Sequence, residues 1–328
     1  MLQLEITERI MRLRGVPVFK TVSTSDLAQL ANSMRARAFQ PGEIIMREDD
    51  PPRSFFLLTA GSVLMRRKGK QIGLVRAPGG VGFLSVLART AGATEAVADT
   101  YTEGYEVAAD ALEEILEDHF SVYLGALRWV SDRLIAENKE AQPPPFTPPT
   151  VPFDHLIGDR ELGIVERIFL LRRSRAMAAA NVNSVARIAR RMQEVRVPAG
   201  TTLWKMGERA DFSFFVVKGM LESRWTKKDG APAVQKIGPG YVVGGSEAMV
   251  GVPRWNDLVA VEPVVLLRGS SQALIDMFED DHDVAMRFLS MLGGFLMMMW
   301  DRKAEAGISS VGSAERPSGA SATVPPPP

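Results

Sequence analysis

The stretch FQPGEIIMREDDPPRSFFLLTAGSVLM, Phe39 to Met65, decides the fold, because VPAGTTLWKMGERADFSFFVVKGMLESR, Val197 to Arg224, repeats its pattern later in the chain. In both, a small-residue turn leads through a polar segment into an apolar run, a glycine and a second run. Short β-rich runs broken by glycine read as strands joined by sharp bends. They are Phe55 to Thr59 and Ser62 to Met65 around Gly61, and Phe214 to Val217 and Met220 to Trp225 around Gly219.

Working outward, a shift of 158 positions lays residues 7–61 on 165–219 without a gap. Glu8, Arg9 and Ile10 fall on Glu166, Arg167 and Ile168, and Gly42, Phe56 and Gly61 on Gly200, Phe214 and Gly219. A period of this length is a duplicated domain, since solenoid repeats run roughly 20–50 residues. Each copy opens with helical spacing: Ser25 reads as a cap before Leu27, Leu30, Ala31 and Met34, and Val185, Ile188, Ala189 and Met192 repeat it. Each closes with a long helix, about Ala111 to Asn138 and Ser271 to Lys303. The unit is therefore mainly β with flanking helices. The expected organisation is a first domain over 1–141, a linker over 142–160, a second domain over 161–303 and a tail over 304–328. Six prolines lie between Gln142 and Pro152, which favours an extended spacer, and the tail from Gly307 has almost nothing to bury, which predicts disorder.

Composition bounds the function. Of 328 residues 46% are hydrophobic, enough for two cores, and 39 basic residues balance 39 acidic ones. No net field draws the chain to nucleic acid or an anionic membrane, so such a partner would need a local patch. The most apolar run, Met291 to Trp300, falls short of the roughly 18 residues a span needs, and no transmembrane helix is expected. Glu5 and Glu8 stand where an export leader would be basic, so a cytoplasmic location is expected. Without cysteine there is no disulfide, thiolate metal site or cysteine nucleophile.

Phe39 to Met65 and Val197 to Arg224, with the turns Ala77-Pro78-Gly79 and Gly238-Pro239-Gly240 behind them, resemble the cyclic-nucleotide-binding family of tandem jelly-roll-like β-barrel domains. The resemblance covers nearly everything except linker and tail. It implies a regulatory protein that binds a cyclic mononucleotide, cAMP or cGMP, and signals to a protein partner. In that family a short cassette helix presents backbone amides to the cyclic phosphate, an arginine pairs with its oxygens, and a glutamate accepts the ribose hydroxyl. The second copy's cassette, GGSEAMVGVPRWNDLVA from Gly244 to Ala260, aligns Pro253-Arg254 with the phosphate arginine. The implied binding set is Gly244, Gly245, Ser246, Glu247, Pro253, Arg254 and Trp255. Gly245 stands in the glutamate position, and Glu247, two residues on, belongs to a different face of the helix. The first copy, Gly82 to Ala98, has Gly92 and Phe83 in the two charged positions and is expected to be degenerate.

Each candidate has a plainer reading. Arg254 is also what a surface arginine after a turn proline looks like, and Trp255 either stacks on a purine or packs in the barrel. His119 and His282 follow the acidic pairs Glu117-Asp118 and Asp280-Asp281, which suits helix starts better than a metal. His155 is isolated. The clusters Arg66 to Lys70 and Arg224 to Lys228 read as solvated hairpin tips, and no helix-turn-helix follows Lys303, so no DNA partner is expected. Phe288, Met291, Leu292, Phe295, Met298 and Met299 form an apolar stripe that either covers the barrel or joins two copies as a homodimer, with Gly293-Gly294 permitting close approach or marking a break. No nucleophile-and-base set, phosphate-binding loop or zinc spacing stands out, and neither an enzyme nor a cofactor is expected. Two readings stay open: a ligand sensor built on Arg254, and a scaffold of two degenerate domains that docks partners.

Overall fold

The computed structural model describes residues 2–20, 22–89, 94–140, 157–158, 160–174, 177–178 and 180–305. The proline-rich segment 142–152, His155, Gly92 and the tail from Gly307 lie outside the described residues. Among the described residues the chain forms two compact units, one of 2–125 with 300–305 and one of 126–299.

The first copy runs α1 (Leu2–Arg14), α2 (Thr24–Ser33), β1 (Arg35–Phe39), β2 (Ile44–Met46), β3 (Ser54–Ala60), β4 (Ser62–Arg67), β5 (Lys70–Arg76), β6 (Gly79–Val81), α3 (Phe83–Ala88), β7 (Glu95–Ala98), β8 (Thr102–Ala108), α4 (Ala109–Asp118) and α5 (Phe120–Glu140). The second runs α6 (Ile164–Arg172), α7 (Val182–Arg191), β9 (Gln193–Val197), β10 (Thr202–Trp204), β11 (Phe212–Lys218), β12 (Leu221–Thr226), β13 (Pro232–Ile237), β14 (Val242–Val243), α8 (Gly245–Val250), β15 (Asp257–Ala260), β16 (Val264–Ser270), α9 (Ser271–Asp280) and α10 (His282–Glu305). Each copy folds into two four-stranded antiparallel sheets of matching order: β1-β8-β3-β6 and β2-β7-β4-β5, then β9-β16-β11-β14 and β10-β15-β12-β13. The alternating apolar positions of the strands meet between the sheets. Phe56, Val63, Ile72 and Val81 form one core, and Trp204, Phe214, Leu221, Leu258 and Leu266 the other.

Several local expectations change. Ser23, not Ser25, caps α2, its Oγ accepting from the Asp26 amide at 3.2 Å. The two closing helices are each broken. α4 ends at Asp118 and α9 at Asp280, the C-caps His119 and Asp281 leave helical backbone, and a new helix starts at the next residue. Asp281 Oδ1 accepts from the Val284 amide at 3.2 Å and so caps α10, while His119 Nδ1 faces Asp26 at 3.3 Å. α10 continues through Gly293-Gly294 without a break.

The stripe on α10 lies beside the packed face. Val284, Ala285, Leu289, Leu296 and Met297 are buried, whereas Phe288, Met291, Leu292, Phe295 and Met299 are half-buried and Met298 is exposed. By length and composition His282–Lys303 is long and apolar enough to cross a bilayer, with 39% of that window buried. Counting only an unbroken apolar run missed it, because mean hydropathy over a window tolerates scattered polar residues.

The first hairpin tip is not simply solvated. Arg67 is 7% exposed, and its Nε and Nη2 both donate to the Asp301 carboxylate, the latter at 3.0 Å. Lys68 Nζ lies 2.8 Å from Glu305 Oε1. A planar guanidinium suits this two-point grip on a carboxylate.

Candidate functional site

In the second copy the chain leaves β14 at Gly244, whose φ of 80° is left-handed, and turns into the short helix α8. A Cβ at Gly244 would lie 2.4 Å from Arg254 Nη1 and 2.8 Å from the Trp204 ring, so only glycine fits both the angle and the space. The sequence then returns through Pro253 to Arg254, whose backbone is held by the turn after β10. The Gly207 amide donates to the Arg254 carbonyl at 2.8 Å, and the Arg254 amide to the Glu208 carbonyl at 2.8 Å.

Arg254 is 1% exposed, which excludes the surface reading. Its Nη1 donates to the Gly244 carbonyl at 2.8 Å and its Nη2 to the Phe212 carbonyl at 2.5 Å. The guanidinium carbon sits 4.0 Å from the Trp204 ring centre and 4.9 Å from that of Phe212, within cation–π reach. Trp204 is fixed in turn: its Nε1 donates to Asn256 Oδ1 at 3.1 Å, and Asn256 Nδ2 donates to Ser223 Oγ. Among the described residues no carboxylate comes within ion-pairing distance of Arg254, and its buried Nε has no hydrogen-bond partner. Burial therefore pushes the guanidinium below its ordinary value, against the more distant pull of Glu247, Asp211 and Glu208.

Glu247 is 4% exposed on α8. Burial holds its carboxyl above the usual carboxylate range, while a backbone amide, Arg254, Lys139 and a hydrogen bond from the Trp255 side chain draw it back. Trp255 packs edge-on against Trp225, ring centres 5.1 Å apart, which is the barrel-packing alternative rather than an open stacking platform. Gly245 has no side chain to offer, and Ser246 is half-buried on α8 beside it. The implied residues thus fall on one cassette, but only Arg254 and Glu247 bring charge to it.

Trp204, Phe212, Asn256 and Ser223 complete the setting of the arginine and were not singled out from the sequence. Trp204 falls on Met46 in the 158-residue register, and that asymmetry inside an otherwise parallel repeat was the available signal.

The first copy builds the same turn without charge. Gly82, φ 87°, starts α3, and a Cβ there would meet Met46 Sδ at 2.5 Å. Phe83, in the position of the ribose carboxylate, is 8% exposed and packs edge-on against Phe55 and Phe19 at 5.3 and 6.0 Å.

The profile of the cyclic nucleotide-binding domain family matches residues 36–119 and 194–281. Similar solved structures include the regulatory domain of Toxoplasma gondii PKA with cAMP, at 13% identity, 89% of this chain, 98% of that one and a TM-score of 0.35. The regulatory subunit of a cAMP-independent protein kinase A from Trypanosoma cruzi bound to guanosine matches at 14% identity, 95% and 91% coverage and 0.35. The N-terminal domain of a transcriptional regulator from Streptomyces coelicolor matches at 25% identity over 43% of this chain and 98% of that one, again at 0.35. Matched in two separate stretches that together exceed half its length, the chain belongs to the cyclic nucleotide-binding domain family and carries two of its domains in tandem.

Proposed function

We propose that the chain is a non-enzymatic regulatory protein whose second domain senses a cyclic mononucleotide through Arg254 and signals to a protein partner, while its first domain has a structural role. One observation carries this reading: a guanidinium 1% exposed, in the family's phosphate position, with no carboxylate at ion-pairing distance among the described residues. A buried charge without its counter-charge is costly, and an arriving phosphate supplies one. The ligand would draw Arg254 from the Gly244 and Phe212 carbonyls, and Trp204 would remain as its aromatic backing. Calorimetric titration of the full chain with cAMP and with cGMP is expected to show binding tighter than about millimolar, about 4 kcal/mol of free energy, that Arg254→Met abolishes. No heat with either nucleotide removes the sensor reading.

The scaffold reading draws support from Gly245, which leaves the ribose without a carboxylate, and from the two carbonyls that already occupy Arg254. It gains if both titrations are silent and the chain recovers the same partners whether or not nucleotide is added.

A further inference from the structure

Along β16 the side chains alternate, so Val264, Leu266 and Arg268 share one face, and the first two lie in the core between the sheets. Arg268 continues that face toward the end of the strand. It stands opposite Phe214 of β11, a member of the same core, and is itself half-buried.

Phe212, two residues before Phe214, brings this cation to the cassette. The Arg268 guanidinium carbon lies 4.1 Å from the Phe212 ring centre, and that of Arg254 lies 4.9 Å from the same centre. Two positive charges therefore share one ring. Contact with the ring stabilises each, but no ion pair offsets their mutual repulsion. Among the described residues neither has a carboxylate at ion-pairing distance, the Arg268 side chain forms no hydrogen bond, and the buried Arg254 Nε is unpartnered.

The first copy fills the same place differently. Glu106 stands opposite Phe56 as Arg268 stands opposite Phe214, and Ser54 falls on Phe212 in the 158-residue register. Ser54 Oγ donates to Glu106 Oε1 at 3.0 Å, and Arg37 Nε lies 3.6 Å from Glu106 Oε2. That charge has its partners within the fold, whereas the two cations of the second copy do not.

We propose that Arg254 and Arg268 form a two-cation site about Phe212 which, besides a cyclic mononucleotide, takes a nucleotide carrying two phosphate groups, one on each guanidinium. Arg268 is the accessible end of the site, and Arg254, 1% exposed, the enclosed end. A planar guanidinium grips a phosphate with two parallel hydrogen bonds, so a second grip favours the two-phosphate ligand over the cyclic one. The role of Arg254 rests on the sensor reading above; that of Arg268 rests on its own geometry.

Calorimetric titration of the full chain compares cAMP, with one phosphate, against ADP, with two adjacent ones, and an adenosine bisphosphate with its two phosphates on separate ribose oxygens. At least one two-phosphate nucleotide is expected to bind about tenfold more tightly than cAMP and to displace it, the factor that one charge-assisted hydrogen bond supplies. Which of the two does so fixes the spacing of the phosphates. Arg268→Met is expected to remove that margin, so that the nucleotides bind alike, while its denaturant midpoint stays near that of the wild type. Lys236→Met takes the same charge from an exposed position on β13 and is expected to keep the margin. A margin that survives Arg268→Met, or that Lys236→Met removes equally, overturns the two-cation site. Binding of cAMP with no margin for either two-phosphate nucleotide also overturns it and leaves the sensor reading standing. A two-phosphate nucleotide whose binding both Arg254→Met and Arg268→Met abolish, while cAMP stays silent, upholds the site and removes the cyclic mononucleotide. Silence with all three nucleotides overturns both.

Discussion

In the first copy α3 starts at Gly82 with φ 87°, and in the second α8 starts at Gly244 with φ 80°, so the cassette backbone is the same twice. The volume behind it is filled differently. Met46 closes it in the first copy, with Phe83 locked between Phe19 and Phe55. In the second, Trp204 takes the place of Met46 and Arg254 enters on top of it. An apolar plug has no interaction that an anion could replace. A cation held by carbonyls and aromatic faces does, and on the proposed sensor reading this sets the second cassette apart from the described part of the first.

The largest effect should separate the two plugs. Alanine at either glycine must adopt a left-handed backbone, which costs roughly 1 kcal/mol, and its Cβ must then find room. At Gly82 the nearest obstacle is the flexible end of Met46, with the Ser54 carbonyl behind it at 3.2 Å; at Gly244 it is a guanidinium and an indole held in place by hydrogen bonds. Gly244→Ala is expected to destabilise the chain by about 3 kcal/mol and Gly82→Ala by about half as much, read from denaturant unfolding followed by fluorescence. Equal losses would mean the two plugs are equally compliant and the comparison fails.

A smaller effect tests what the second cassette lacks. At Gly245 a Cβ would meet nothing closer than Val242 Cγ1 at 3.7 Å, and its backbone is not left-handed, so a side chain fits. The family resemblance places the ribose carboxylate at this position. Gly245→Glu is expected to leave the unfolding midpoint nearly unchanged and to raise cAMP affinity about tenfold, in line with one charge-assisted hydrogen bond. Unchanged affinity would show that Trp204 and the grip on Arg254, not the missing carboxylate, limit binding.

The repeat register made the architecture legible because both copies keep the same turns and strands, and Arg254 could be found by its place after Pro253. Its partners could not. Phe212 and Trp204 lie on strands 42 and 50 residues away, and contacts that distant depend on sheet order, which periodicity does not encode. The acidic pairs before His119 and His282 do precede helix starts, α5 at Phe120 and α10 at His282. Each closing helix still reads as continuous in the sequence, because an acidic pair marks a helix end as readily as a start, and Asp281 serves both. Arg67 looked solvated because its partner, Asp301, is remote in sequence.

The smallest effect concerns Glu247, whose counterpart, with Gly82 laid on Gly244, is Ser85, also 4% exposed. Burial raises the Glu247 carboxyl despite the backbone amide, Arg254, Lys139 and Trp255. An acid raised in the folded state holds its proton more tightly there than in the unfolded chain, so the unfolded state binds fewer protons and stability falls as pH rises. The fall starts near the ordinary unfolded value, about 4.3, and levels off above the raised folded value. Glu247→Gln removes this slope: it should match the wild type near pH 4 and exceed it near pH 8 by roughly 1 kcal/mol, the scale of one imperfectly satisfied buried polar group. Ser85→Ala should leave the pH dependence of the whole chain untouched, since a hydroxyl does not titrate in this range. Denaturant unfolding of wild type and both variants at the two pH values reads the difference. A Glu247→Gln variant less stable than wild type near pH 8 would mean that the carboxylate is ionised in the fold and that its attraction to Arg254 and Lys139, rather than burial, governs the second cassette.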